Sequence, residues 1–566
     1  MRKTGFRSSL SLYAVLAVIL ALVPAPVTHA GNTKPAVGLP QILRYISNGW
    51  STLTRSMTEC QTFTDPKTNA KSALYLPADF PVSPGMKTAA TQCSLQVSHL
   101  PAAIKKLGEI NPDAIQPQGL LYLPKPYVVP GGMFNEMYGW DSYFIVRGLI
   151  EDGRLNLARD MVDNFFFELD HYGGVLNANR TYYLTRSQPP FLTSMVRAVY
   201  EAEKAKGQAD PAWLLTAYQH AVKNEQFWTE PPHLAGSTGL SRYYGLGSGP
   251  VPELGSSTTE YYGNVARYFL LHPEGSQPYL VQIHGGTNGS KITGPEFSLS
   301  LNFSGGPKHS GEKNELVDKF ALTPRFYKGD RSMRESGFDV SFRFGPFGAS
   351  TQYFAAVGLN SLLYKSEKDL EWMSSELGLK QDSMKWRQKA VTRREEVNRY
   401  LWNPSLGLYY DYDFENGVQS RYSYATTFYP LWAGLATPEQ AKAVVESLGA
   451  FDRPGGIVMS MNNTGAQWDA PYGWAPIQLI AIEGLRRYGY EADANGISLQ
   501  FLSMVLDNFR NDGTLHEKYN VETRSSETHI QVGYKTNVIG FGWTNGVFLA
   551  LYHALPKAAQ EQLAKE

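Results

Sequence analysis

The chain has 566 residues, 43% of them hydrophobic, enough to bury one large core or two ordinary ones. Lys plus Arg and Asp plus Glu are both 52, so the formal net charge is zero and no basic footprint for nucleic acid exists. The aromatic share stands out at 13%, with 34 Tyr and 11 Trp; rings that join an apolar face to a polar edge suit sugars as well as cores.

Residues 1–30 have the three parts of an export signal: Arg2, Lys3 and Arg7, the apolar run LYAVLAVILALV, then THAG with small residues for cleavage after Ala30. That pattern predicts a secreted or periplasmic protein, and no later run of about 18 uncharged apolar residues predicts a membrane span. Residues 31–126 are rich in Ser, Thr and Pro and weakly periodic, which predicts an extended arm with one or two short helices. Cys60 and Cys93 lie in that arm. A disulfide clip is the preferred reading, with two buried free thiols as the alternative.

From Gly139 the pattern turns helical. Leu157, Met161, Phe165 and Leu169 recur every fourth residue, as one stripe facing a core requires. Further periodic segments follow near 192–206, 211–228, 350–365, 381–402, 437–449, 474–488, 495–510 and 544–554, separated by Gly, Pro and Asn. TPEQ at 437–440 offers Thr437 as N-cap, Pro438 in the first turn and Gln440 to complete a capping box. The Gly-rich piece at about 276–312 reads as an inserted hairpin or loop with strand-like alternation. Many helices in antiparallel pairs predict a mainly α chain, either a toroid or a solenoid, and periodicity alone does not choose between them.

Six motifs between these helices combine acids, amides or Arg with rings and Gly or Pro: VVPGGMFNEMYGWDSYF (128–144), NANRTYYLTRSQPPF (177–191), RESGFDVSFRF (334–344), QWDAPYGWAPIQ (467–478), LHEKYN (515–520) and GFGWTNG (540–546). Planar amides and guanidinium groups bond hydroxyls while rings cover a sugar face, so the set fits a neutral polyol ligand. Any one motif alone reads as a helix-end loop with packed rings; six along one chain do not.

These motifs resemble the inverting α,α-trehalases from about Leu121 to Tyr552, with 177–191 and RESGFD similar to the cytosolic fungal branch. The resemblance implies an (α/α)6 barrel over 127–566, with the irregular arm and the small Gly-rich β-like insertion added to it. It implies hydrolysis of the 1,1-linked glucose disaccharide, with Asp339 as general acid and Glu517 as general base. The sugar-binding positions it implies are Phe134, Trp140, Asp141, Asn177, Arg186, Gln188, Glu253, Gln467 and Trp468. Where the family has Arg after PGG this chain has Met133, so Arg334 is a candidate for the missing charge; Val251 replaces an Arg of bacterial members only. The fungal calcium-binding segment has no counterpart in residues 31–120, and no metal or cofactor is expected. The expected partner is a small disaccharide, and the chain is read as a monomer.

Residue chemistry agrees with those roles. Inversion needs a protonated acid for the leaving oxygen and a carboxylate to activate water. Asp339 follows Gly337 and Phe338, where a ring can desolvate it and raise its pKa. Glu517 follows Gly513, a candidate C-cap, in a loop able to reach a cavity; Asp141 and Glu136 are candidates to fix hydroxyls. The competing readings make Asp339 an ion-pair partner of Arg343 and Glu517 a solvated acid beside Lys518. Two other functions stay open: a related inverting glycosidase on another α-glucoside or modified trehalose, and a catalytically weakened sugar-binding homologue.

Overall fold

Helices apolar on nearly all sides alternate along the chain with helices that bury one stripe, and that difference sorts them into an inner and an outer layer. The structure, a computed structural model, describes residues 38–64, 72–275, 278–283, 295–300 and 317–565. The export segment and much of the Gly-rich insertion therefore lie outside the described residues.

In chain order the helices are α1 (Leu39–Leu53), α2 (Pro84–Cys93), α3 (Asp141–Glu151), α4 (Leu155–His171), α5 (Leu192–Ala205), α6 (Pro211–Thr229), α7 (Thr258–Leu271) and α8 (Pro324–Glu335). They continue with α9 (Val357–Glu376), α10 (Lys380–Tyr400), α11 (Tyr429–Ala433), α12 (Pro438–Glu446), α13 (Ala475–Arg487), α14 (Glu491–Asp512), α15 (Gly542–Ala554) and α16 (Lys557–Lys565). Helix α3 packs on α5, α5 on α9, α9 on α11, α11 on α13, α13 on α15, and α15 back on α3. The ring closes, so the fold is the (α/α)6 toroid and not an open solenoid.

Outside the ring, α4 packs on α3 and α5, α6 on α5 and α9, α10 on α9, and α14 on α13 and α15. Burial follows this order: most of α9 is buried, whereas α10 buries only Trp386, Ala390, Arg393 and Val397. At the α3–α15 seam the backbones touch. A Cβ on Gly148 would lie 2.3 Å from the Cα of Gly546, and one on Gly546 would lie 2.1 Å from the Phe144 carbonyl oxygen. Only glycine fits at either position.

Predicted ends hold where a cap sets them. Thr437 accepts from the Gln440 amide (3.2 Å) while Gln440 Oε1 accepts from the Thr437 amide (2.9 Å). Gly513 ends α14 with φ +75°. The segment expected at 350–365 instead begins at Val357, because Phe354–Ala355 pairs antiparallel with Tyr412–Asp413.

The region before α3 carries α1, packed on α14 and α15, and a parallel three-stranded sheet with Ala73–Leu76 between Val97–His99 and Gly119–Leu121. Cys60 and Cys93 form a disulfide that ties α2 to the short turn Cys60–Phe63. Between α7 and α8, Val317–Leu322 is the central strand of an antiparallel sheet flanked by Leu280–Ile283 and Glu296–Ser300.

Candidate active site

The loops that lead into the inner helices converge at one end of the ring. Two of the motifs are zipped together by their backbones: Gly139 N–H donates to the Asn177 carbonyl (3.1 Å), and Asn177 N–H donates to that of Arg186 (2.8 Å). Trp140 N–H donates to Gln188 Oε1 at 2.9 Å. This brings Trp140 and Asp141, at the start of α3, beside Asn177, Arg186 and Gln188.

Rings wall the site. Trp468, just ahead of α13, stacks on Trp474 at 3.8 Å and meets Phe338 at 5.1 Å and Trp140 at 5.8 Å. Phe134 packs edge-on to Tyr138 at 5.4 Å and lies 6.2 Å from Phe541. Gln467 Nε2 donates to the Asp339 carbonyl, and Trp474 Nε1 donates to that of Gln467 at 3.0 Å.

Helix α8 delivers the first carboxylate. It stops at Gly337, whose φ is +77° and where a Cβ would lie 3.0 Å from the Trp140 indole, so the turn requires glycine. Phe338 and Asp339 follow against the ring wall. Burial pushes the Asp339 carboxyl up to about 7; the Arg334 and Arg186 guanidinium groups pull it back, and the Glu253 carboxylate adds to the rise. Its side chain still keeps 34% exposure, so it faces a cavity. The reading of Asp339 as partner of Arg343 does not hold, because Arg343 Nε binds Asp411 Oδ2 at 2.6 Å.

Arg334 bridges three acids: Nη1 lies 3.5 Å from Asp339 and 3.7 Å from Glu253, and Nε donates to Asp330 at 3.2 Å. Arg186 Nη2 donates to Glu253 at 2.6 Å. Inside this cluster Arg186 Nε and Nη1, Arg334 Nη2, Glu253 Oε2 and Gln467 Oε1 are buried without a protein hydrogen-bond partner. Such groups are costly unless a ligand or water meets them.

The second carboxylate, Glu517, is 2% exposed and is not a solvated acid. Lys518, itself fully buried, donates to its Oε2 at 3.0 Å; the Tyr534 hydroxyl donates to Oε1; Trp543 Nε1 holds its backbone carbonyl at 3.0 Å. The Lys518 ammonium also lies 3.9 Å from the Tyr534 ring centroid. Burial raises Asp141 well above the carboxylate range, and the charges of both Glu517 and Asp339 add to that rise. The three acids therefore lie within reach of one another's charge.

The sequence reading missed Lys518, Tyr534 and Trp543 as site residues. Lys518 stood inside the EKY motif and Trp543 inside GFGWTNG, whereas no motif marked Tyr534. Glu136 is corrected as a candidate for hydroxyls, since it pairs with Arg180 and accepts from the Asn135 amide at 3.0 Å. Met133 is 37% exposed, and Val251 is buried with its amide on the Tyr262 hydroxyl at 3.0 Å. Among the described residues no group of His, Cys, Asp and Glu could hold a metal ion, and no helix is long and apolar enough to cross a membrane.

The trehalase family profile matches residues 46–267 and 313–555. The chain belongs to the trehalase family. It is 37% identical over 457 residues to a probable trehalase of Eremothecium gossypii, covering 75% of this chain and 57% of that one. It is also 37% identical to a cytosolic neutral trehalase of Saccharomyces cerevisiae, with 75% and 56% covered. The chain thus spans just over half the length of these relatives. Among solved structures the neutral trehalase of Saccharomyces cerevisiae superposes with a TM-score of 0.74 at 32% identity, over 93% of this chain and 96% of that one. The expectation of a secreted or periplasmic location is corrected here. Relatives in Kluyveromyces lactis, Saccharomyces cerevisiae and Emericella nidulans carry the name cytosolic neutral trehalase. A basic, apolar, then small pattern is a matter of composition, and a short apolar run is not by itself sufficient for export.

Proposed function

We propose that this trehalase-family protein hydrolyses α,α-trehalose to two glucose molecules with inversion. Asp339 gives its proton to the glycosidic oxygen as the C1–O bond breaks, and Glu517 takes a proton from the water whose oxygen forms the new C1–O bond. Arg186, Arg334, Glu253, Gln467, Asn177, Gln188 and Asp141 bond the hydroxyls, while Phe134, Trp140 and Trp468 cover the sugar faces.

The observation that carries this reading is the opposite company of the two carboxylates. Asp339 is pushed up to about 7 and still opens to the cavity, as an acid at neutral pH must. Glu517 has the Lys518 ammonium on one oxygen at 3.0 Å and the Tyr534 hydroxyl on the other, two donors aimed at its carboxylate. The relatives named trehalase support the choice of disaccharide.

Proton NMR of the products in the first minutes tests the reaction: inversion yields one α- and one β-glucose per trehalose, and α-glucose alone would exclude it. Asp339→Asn and Glu517→Gln are each expected to lose 10²–10⁴ in turnover, roughly the share of general acid–base catalysis, with the fold retained by circular dichroism. Near-normal activity in either variant removes that residue from its role.

A further inference from the structure

The loop Tyr244–Glu253 has the sequence YGLGSGPVPE, with three glycines and little side-chain bulk to fix it. Helix α8 fixes it from one face. Lys328 Nζ donates to the carbonyls of Gly245 (2.6 Å) and Gly247 (2.9 Å). Arg331, only 7% exposed, donates through Nε to Gly249 (2.8 Å) and through Nη2 to Pro250 (2.7 Å). The glycines permit this approach: a Cβ on Gly247 would lie 2.4 Å from Arg331 Nη1. Three residues beyond Pro250, Glu253 accepts from Arg186 and lies beside the same Arg334 nitrogen that contacts Asp339.

We propose that Arg331 is a positioning residue, whose fork on the Gly249 and Pro250 carbonyls sets where Glu253 stands between Arg186, Arg334 and Asp339. The proposal rests on the reading above for the roles of Glu253 and Asp339, but the hold on the loop is independent of it. Two carbonyls at fixed spacing call for a planar guanidinium, and a lysine reaches them only as a single point charge. The groups whose charges bear most on Asp339 are Arg334, Arg186 and Glu253, while Asp141, Tyr261, Lys518 and Tyr534 feel its charge in turn. Of the first three only Glu253 raises Asp339, so displacing it lowers the acid.

The test compares wild type, Arg331→Met, Arg331→Lys, Glu253→Gln and the Arg331→Met/Glu253→Gln double variant on trehalose from about pH 5 to 9. Arg331→Met is expected to raise KM roughly tenfold and to move the alkaline limb of kcat/KM to lower pH, as Glu253→Gln does. Arg331→Lys recovers part of both, and the double variant is no worse than Glu253→Gln, because the two changes act through one contact. An unchanged KM and limb in Arg331→Met, or additive losses in the double variant, overturns the proposal. Should Arg331→Met not fold, Lys328→Met removes the two bonds to Gly245 and Gly247 and is expected to move both readouts the same way; no movement again overturns it. Amide hydrogen exchange over residues 244–253 needs no substrate: it is expected to rise in Arg331→Met and Lys328→Met, and unchanged exchange refutes the hold. A wild type that leaves trehalose intact therefore removes the functional reading, while exchange alone decides the positioning.

Discussion

At the scale of single residues, the pH behaviour follows from Asp339. Its carboxyl is raised above the ordinary value to about 7, chiefly by burial, so the proton it must donate is present below that pH and lost as pH rises through it. The kcat/KM profile on trehalose is expected to fall on an alkaline limb near pH 7, by about tenfold per unit beyond it. Arg334 pulls Asp339 down, so Arg334→Met should move that limb to higher pH. A limb fixed in place would show that another group supplies the proton. Met133 is the second residue with a consequence, since a thioether donates no hydrogen bond where the family places a guanidinium. Met133→Arg is expected to lower KM on trehalose by roughly tenfold, the value of one hydroxyl bond of about 1–1.5 kcal/mol. No change in KM would mean that the free donors of Arg186 and Arg334 already meet that hydroxyl.

At the scale of elements, helix α8 shows what was legible in the sequence and what was not. The stripes of α4, α5, α6 and α13 and the caps of α12 and α14 are local signals, and they read correctly because apolar spacing and capping chemistry sit on the helix itself. Helix α8, PRFYKGDRSMRE, offers only Phe326, Tyr327 and Met333 as apolar residues among many charges, too few to stand out as a stripe. It buries Phe326, Tyr327 and Met333 in a hydrophobic cluster, but it also buries Asp330, Arg331, Ser332, Arg334 and Glu335, which find partners on other segments. The same physics undid the alternative reading of Glu517 as a solvated acid, since it is buried with Lys518 and Tyr534 on its carboxylate. Charge alone does not say whether a partner waits across the fold. The proposed acid and base, Asp339 and Glu517, were picked out through long motifs, whereas Tyr534 and Arg331 stand in ordinary-looking sequence and become visible only when distant loops meet. The exit of α8 supplies a prediction of its own. Gly337→Ala adds a Cβ at positive φ against the Trp140 indole, about 1–2 kcal/mol of backbone strain before any ring moves. It is expected to cut kcat/KM at least tenfold while thermal denaturation shifts only slightly; wild-type kinetics would show that the Asp339 turn tolerates a side chain.

At the scale of the whole molecule, the ring closes where the backbones of α3 and α15 meet. Gly546→Ala puts a methyl 2.1 Å from the Phe144 carbonyl and is expected to destabilise by about 1–3 kcal/mol or more, as overpacking does. Gly496→Ala, on α14 with nothing within 4 Å, should do the reverse and stabilise by about 0.5–1 kcal/mol. Chemical denaturation of both variants beside wild type checks the contrast; equal effects would mean that the seam has slack. The seam also governs time. Helices α3 and α15 meet across about 400 residues of chain, so this contact is among the slowest to search for. Trp140 comes from one side of that seam, Glu517 from just ahead of the other, and Asp339 from near the middle of the chain. Helical signal can return early in refolding, and a growing chain can carry most of its helices, while the cavity still does not exist. Activity is therefore expected to return last in refolding, with the docking of α15 on α3.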